Sequence, residues 1–366
     1  MDFVIIGAGI NGLLVARELA SVGAEVVLVE KGSCFQEASW AGGGIVSPLY
    51  PWRYSHPVTA LASWAQDFYP ELAASLFANT GIDPEYSRSG LLMLDADDEA
   101  AALRWARLNE RRMERVGSDF IYSHEPLLAP EFKSGLWMPD VANIRNPRLG
   151  RALVAELLAA SNISFSQNSQ VSQFECSDGH ISAIKVETPD GQKRIAADQF
   201  VLCAGAWSGQ LAGLIHVKLA VEPVKGQMLL YRLPKSLVTS IVLTQGHYLI
   251  PRRDGYLLAG STLEYQQFDK TPTSVARNSL QQAAHDLLPQ LREFEPISHW
   301  AGLRPAAPRG VPFIGVMPGF ENLYVNAGQF RNGLVLAPAS ARLLADLILG
   351  REPIIDPAPY SPLQSD

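Results

Sequence analysis

The feature that most constrains this chain lies at its N-terminus. Phe3-Val4-Ile5-Ile6 is a short, wholly apolar run of the kind that forms a buried parallel strand. Gly7-Ala8-Gly9-Ile10-Asn11-Gly12 follows at once, and Leu13, Leu14, Ala16, Leu19 and Ala20 then recur at helical spacing up to Gly23. Val26-Val27-Leu28-Val29 is a second apolar strand, and Glu30 ends it. Together these residues spell a dinucleotide-binding βαβ unit. Gly7 permits the tight turn, Gly9 lets the backbone approach a pyrophosphate, and Gly12 lets helix and strand pack closely. Ile10 and Asn11 open the helix, whose free N–H groups and positive dipole end suit phosphates. Glu30 is placed to accept hydrogen bonds from both ribose hydroxyls, and an acid there disfavours the 2′-phosphate of NADP. These residues alone leave NAD and FAD both open.

With 366 residues, at about 150 per domain, the chain has room for two domains or one elaborate one. Helical periodicity marks 64–78, 98–116, 147–160 and 274–291. Strand signals run through 171–205, with a turn at Asp190-Gly191, and again through 223–262. The tail returns to a strand at 323–326, a glycine loop from Gly328 to Gly333 and a last helix from Leu334 to Leu349.

Several function classes are disfavoured. The net charge of −7 argues against a broad nucleic-acid surface. Cys34, Cys176 and Cys203 are odd in number and far apart, so a reduced, cytoplasmic protein is expected. The seven histidines form no metal-binding spacing, so no metal site is expected. No run of eighteen apolar residues predicts a membrane span. Asp2 and the missing basic segment argue against a signal peptide.

Further blocks carry a family resemblance. They are Ser39-Trp40-Ala41-Gly42-Gly43-Gly44-Ile45, Val201-Leu202-Cys203-Ala204-Gly205-Ala206-Trp207-Ser208, Pro223-Val224-Lys225-Gly226-Gln227, Gly302-Leu303-Arg304-Pro305 and Asn326-Ala327-Gly328-Gln329-Phe330-Arg331-Asn332-Gly333-Leu334. In this order, with the N-terminal fingerprint, the chain resembles the D-amino-acid-oxidase-like flavoproteins, and within them the bacterial glycine oxidases associated with thiamine biosynthesis. The resemblance implies FAD, held by Gly7, Gly9, Ile10, Asn11, Gly12, Glu30, Lys31, Ser39, Gly42, Gly43, Gly44, Val171, Ala204, Gly205, Trp207, Gly328, Arg331, Asn332, Gly333 and Leu334. Relatives that attach FAD covalently use a late cysteine, and the last one here is Cys203, so FAD is expected to be non-covalent. The implied fold is mixed α/β: a Rossmann-like FAD-binding domain from 1–85, 145–220 and 305–366, interleaved with a mixed-sheet substrate domain from 86–144 and 221–304.

The resemblance also implies a substrate site. Arg304 and Tyr248 match the family's carboxylate-binding pair, and Arg331 matches an arginine near the substrate amine or the flavin edge. His247, Leu263 and Ile45 are the other pocket candidates. A planar guanidinium suits a carboxylate because it pairs with it bidentately. No side-chain base is implied, because hydride passes from Cα to the flavin N5. The expected partners are a small amino acid (glycine, sarcosine, D-alanine or D-proline) and O2, which yields hydrogen peroxide; a homo-oligomer is left open. Three other readings stand beside this one: a D-amino-acid dehydrogenase that passes electrons to a quinone, a flavoprotein domain for tRNA base modification, and a non-catalytic flavin-binding scaffold or subunit of a heteromeric enzyme.

Overall fold

The computed structural model describes residues 1–363. The Asp2–Ile6 strand is central in a six-stranded sheet. The strand order across it is Phe313–Val316, Leu323–Ala327, Gln199–Leu202, Asp2–Ile6, Glu25–Val29 and Ile163–Ser166. All neighbours are parallel except the first pair. Val4 and Ile5 are fully buried, as a strand covered on both faces requires. Helices Ile10–Ala20, His56–Thr80 and Gly333–Leu349 pack beside one another over this sheet, burying Leu13, Leu61 and Leu336 among others. The chain leaves Asp2–Ile6 toward one neighbour and later returns to the other side through Gln199–Leu202. The Gly7-to-Gly12 turn therefore sits where the strand order reverses, the place at which open α/β sheets bind ligands.

A second, eight-stranded sheet has the order Ser298–Ala306, Glu222–Arg232, Tyr256–Gly260, His247–Pro251, Ile241–Thr244, Leu91–Leu94, Ser134–Met138 and Glu114–Gly117. It is mixed, since Ile241–Thr244 and Leu91–Leu94 run parallel and the other pairs antiparallel. Gln170–Ser177, His180–Thr188 and Gly191–Ala196 form a three-stranded meander, which turns at Gly191 with φ of +107°.

Two helical expectations need correction. Helix Glu99–Leu108 ends early, and Glu114–Gly117 pairs as an edge strand with Ser134–Met138. Asn109 closes that helix and Glu110 takes a φ of +53°, so cross-strand pairing overrides the charged, helix-favouring composition that follows. Helix Ser274–Leu287 likewise stops before a separate 3-10 turn over Pro289–Glu293. The Phe330–Leu349 segment is apolar enough by composition to cross a bilayer, but 67% of its most apolar window is buried inside the fold, which makes it a core element.

Candidate active site

A cavity of about 400 Å³ runs between the two sheets. The six-stranded sheet supplies the Ile6-to-Asn11 turn, Val29–Lys31, Cys203–Trp207 and Gln329–Val335; the other sheet supplies Tyr248 and Leu303–Pro305.

At the nucleotide end the glycines are needed for space. Gly7 has φ of +103°, and a Cβ there would lie 2.5 Å from the Cys203 carbonyl oxygen. A Cβ on Gly12 would lie 1.9 Å from the Gly7 carbonyl oxygen, so Gly12 acts by close packing and does not itself line the cavity. The Ile10 N–H donates to Ser39 Oγ at 3.0 Å, which ties the helix start to the 38–41 turn. Glu30 accepts from Ala8 N at 2.9 Å and from Gly32 N at 3.1 Å, so its carboxylate is fixed at the cavity edge. Lys31 Nζ lies 3.0 Å above the Trp207 ring, and Phe268 packs against the same ring at 5.6 Å. Burial, followed by the charge of Lys270, holds the Lys31 pKa below its ordinary value, while Glu37 opposes this.

In the middle, Gly42, Gly43 and Gly44 form one wall. Gly44 has φ of +79° and its N-terminal neighbour Gly43 packs against Tyr248 and Ile250. Asn146 donates to the Ser39 carbonyl oxygen at 2.7 Å. Asn11 Oδ1, Asn146 Oδ1 and Gln329 Oε1 belong to cavity-lining residues, yet each is buried without a hydrogen-bond partner. Buried polar atoms left unpaired in this way fit a polar ligand such as a dinucleotide.

At the other end, Arg304 is carried by the Ser298–Ala306 strand and lies flat across the neighbouring strand at Gly226, where a Cβ would come 2.1 Å from its guanidinium. Arg304 donates to the Thr262 carbonyl oxygen at 3.0 Å, to Ser261 Oγ at 2.9 Å and to the Lys225 carbonyl oxygen at 3.4 Å. Every one of these acceptors is neutral. Burial, followed by the nearby charge of Arg331, lowers its pKa from the ordinary value, and the Tyr248 hydroxyl beside it opposes this. Tyr248 donates to Met228 Sδ at 3.3 Å and is 7% exposed. Arg331, in the Phe330–Asn332 turn, and Ile45 also line the cavity.

Not every expected residue is brought here. His247 precedes Tyr248 on one strand, so its side chain points to the opposite face, toward Leu280, Ala284 and Leu287 of the Ser274–Leu287 helix. Burial lowers its pKa. Leu263 is 45% exposed and lies outside the cavity lining, because the chain leaves the sheet after Gly260. Gly328 has φ of +91° and packs against Ala307, behind the lining. Val171, Ala204, Gly205, Asn332, Gly333 and Leu334 all line the cavity. Asn146 and Gln329 line the cavity and Arg252 donates to the Gly43 carbonyl oxygen behind its wall; sequence reasoning missed all three. Asn146-Pro147 reads as a helix start and Arg252-Arg253-Asp254-Gly255 as a surface turn, so neither pattern signals an inward side chain.

A mostly parallel sheet with a glycine crossover at its switch point, an acid closing the second strand and a second sheet at the far end of the cavity together define a dinucleotide-binding α/β fold. The chain belongs to the DAO family, described as FAD dependent oxidoreductase, which matches residues 2–347. It is 52% identical to a glycine oxidase of Pseudomonas putida, over 98% of this chain and 97% of that one. It is 53% identical to a glycine oxidase of Pseudomonas aeruginosa, over 98% of each. Among solved structures, a glycine oxidase from Geobacillus kaustophilus superposes with a TM-score of 0.92 at 29% identity, covering 100% of this chain and 99% of that one.

Proposed function

We propose that this chain oxidises glycine, and with it sarcosine and small D-amino acids, to an imine that hydrolyses in water, using O2 as electron acceptor. The observation that carries this reading is Arg304: a guanidinium deep in the cavity, seated over Gly226 and paired only with neutral acceptors. A small amino acid offers little besides its carboxylate, and a planar cation in a water-poor pocket is the strongest grip on that group. Tyr248 adds a hydroxyl beside it, while Ile45 and the Gly43 peptide limit the space for a side chain. The chemistry that bound FAD would supply is two-electron oxidation at the substrate Cα, with O2 as the final acceptor and hydrogen peroxide as the product.

The chain's own residues hold, orient and exclude water. Glu30 would hold the ribose hydroxyls, the start of the Ile10–Ala20 helix would face the pyrophosphate, and Lys31 with Trp207 would bound the adenine end. The turn from Gln329 to Gly333 presents a helix N-terminus to the flavin pole that becomes anionic. Arg331, which lines the cavity in that turn, would stand near the flavin edge or the substrate amine. FAD is held non-covalently, and the protein acts in the cytoplasm. The FAD-binding domain is built from 1–85, 145–220 and 305–366, of which 364–366 lie outside the described residues, and the substrate domain from 86–144 and 221–304. An oxygen electrode decides the reading: uptake is expected with glycine, sarcosine, D-alanine and D-proline. No uptake with any of them, together with dye reduction by D-amino acids, would make it a dehydrogenase.

A further inference from the structure

Arg252 follows the His247–Pro251 strand at the turn leading to Tyr256–Gly260, yet its side chain is only 7% exposed. One terminal nitrogen donates to Asn143 Oδ1 at 2.6 Å and to the Ile144 carbonyl oxygen at 3.1 Å. The other donates to the Gly43 carbonyl oxygen at 2.8 Å, and Nε has no partner among the described residues. All three acceptors are neutral. The nearby carboxylates are engaged elsewhere: Arg145 reaches Glu85 at 3.2 Å and Asp254 at 2.6 Å, and Arg148 reaches Glu85 at 3.0 Å. Burial, followed by repulsion from Arg145, pushes the Arg252 guanidinium down to about 10, against the opposing pull of Glu85 and Asp254, so it stays charged at neutral pH. A buried cation without a counterion costs stability unless something compensates it.

Gly43 is the route by which that charge reaches the cavity. It lines the wall, and a Cβ there would lie 2.8 Å from Ile250 Cδ1 and 3.2 Å from Tyr248 Cε2. Next to it, the Ile144 N–H donates to the Gly44 carbonyl oxygen at 2.8 Å. Arg252 thus clamps the glycine wall to the Asn143–Ile144 segment on one side and to the Tyr248 strand on the other.

We propose that Arg252 is a positioning residue for the flavin ring: it fixes the Gly43 peptide against Tyr248 and sets a positive charge that no carboxylate contacts one peptide behind the cavity wall, which favours the reduced, more negative cofactor. This rests on FAD occupying the cavity, and a wild-type protein that purifies without flavin fails that reading before any variant is compared. The charge is worth most here because the surroundings are poorly screened.

The test compares wild type with R252M and R252K. It reads the FAD dissociation constant, the affinity for sulfite from the loss of visible flavin absorbance, and kcat and KM for glycine. Sulfite adds to oxidised flavin as an anion, so it senses local charge without needing turnover. R252M should bind sulfite about tenfold more weakly, with kcat lowered by a similar factor and KM within about threefold of wild type. R252K keeps a charge, but on a buried amine whose pKa is depressed. Its sulfite affinity should stand nearer to wild type at pH 6 and fall away from it as pH rises to 9. An FAD-loaded R252M with wild-type sulfite affinity and kcat would overturn the proposal. Should R252M not fold, an R252K whose sulfite affinity keeps a constant ratio to wild type from pH 6 to 9 would overturn it equally.

Discussion

Arg304 has its place because a neighbouring residue has no side chain. Its guanidinium occupies the volume that a Cβ on Gly226 would need, so the pair forms one device on adjacent strands. Arg304→Ala should lower kcat/KM for glycine by about thirtyfold to several thousandfold, the equivalent of roughly 2–5 kcal/mol for a charge left without its partner. FAD content should barely change, and Arg304→Lys should rescue only in part, because an ammonium lacks the planar fork. Steady-state kinetics with flavin quantified in the same samples check this; a kcat/KM within about threefold of wild type would remove Arg304 from the site. Gly226→Ala makes a second, independent prediction. The guanidinium must shift, so KM should rise by about tenfold or more while Arg304 itself is still present. An unchanged KM would show that the seat over Gly226 is unimportant. Arg304 was legible in the sequence only through family resemblance, since an isolated arginine carries no signal of burial. Its seat was less legible still, because a glycine inside a strand shows that space is needed but not what fills it.

At the scale of elements, legibility follows how local the cause is. The N-terminal strand, turn, helix and strand were readable because each residue's reason lies within the unit: apolar strand, forced φ at Gly7, close approach at Gly12. The 98–116 helix was misread because its second half is claimed by a partner strand, Ser134–Met138, far along the chain. His247 and Tyr248 show the same limit. Strand alternation says that they face opposite ways, but only the sheet's neighbours say which face meets the cavity. Glu30 tests the N-terminal unit as a whole, because it braces the turn through Ala8 N and Gly32 N and lines the cavity. Glu30→Ala should weaken FAD binding by about tenfold to a hundredfold, from the loss of roughly 1.5–3 kcal/mol in charge-assisted hydrogen bonds. Turnover per bound flavin should stay close to wild type. Fluorescence titration of apoprotein measures the first and flavin-normalised kcat the second. Wild-type affinity would mean that the ribose lies elsewhere.

For the whole molecule, the cavity lies between two sheets, and the cysteines bear on whether FAD is attached through sulfur. Covalent capture through a cysteine needs a thiolate. Cys203 reaches the cavity wall, but burial pushes its thiol far above the ordinary range. Burial, then the charge of Glu30, pushes Cys34 up to about 12. Cys176 is exposed, on the three-stranded meander. The protein should therefore be yellow, and acid or heat should release intact FAD; flavin that stays with the denatured chain would sink this. Reversible binding also has a thermal signature. Free FAD at a thousand times its dissociation constant stabilises the folded state by about 4 kcal/mol. An unfolding entropy of ~2.1 cal/mol/K per residue, over the 366 residues of the chain, converts this to a rise in Tm of about 5 °C over apoprotein. Glu30→Ala at the same free FAD should keep only roughly 2–3 °C of that rise, because its weaker affinity lowers the binding contribution without removing it. Differential scanning calorimetry of both proteins, with and without FAD, measures the two shifts. Equal shifts in wild type and Glu30→Ala would place the nucleotide outside the turn that opens the chain, and a wild-type Tm indifferent to FAD would mean that the cavity closes without it.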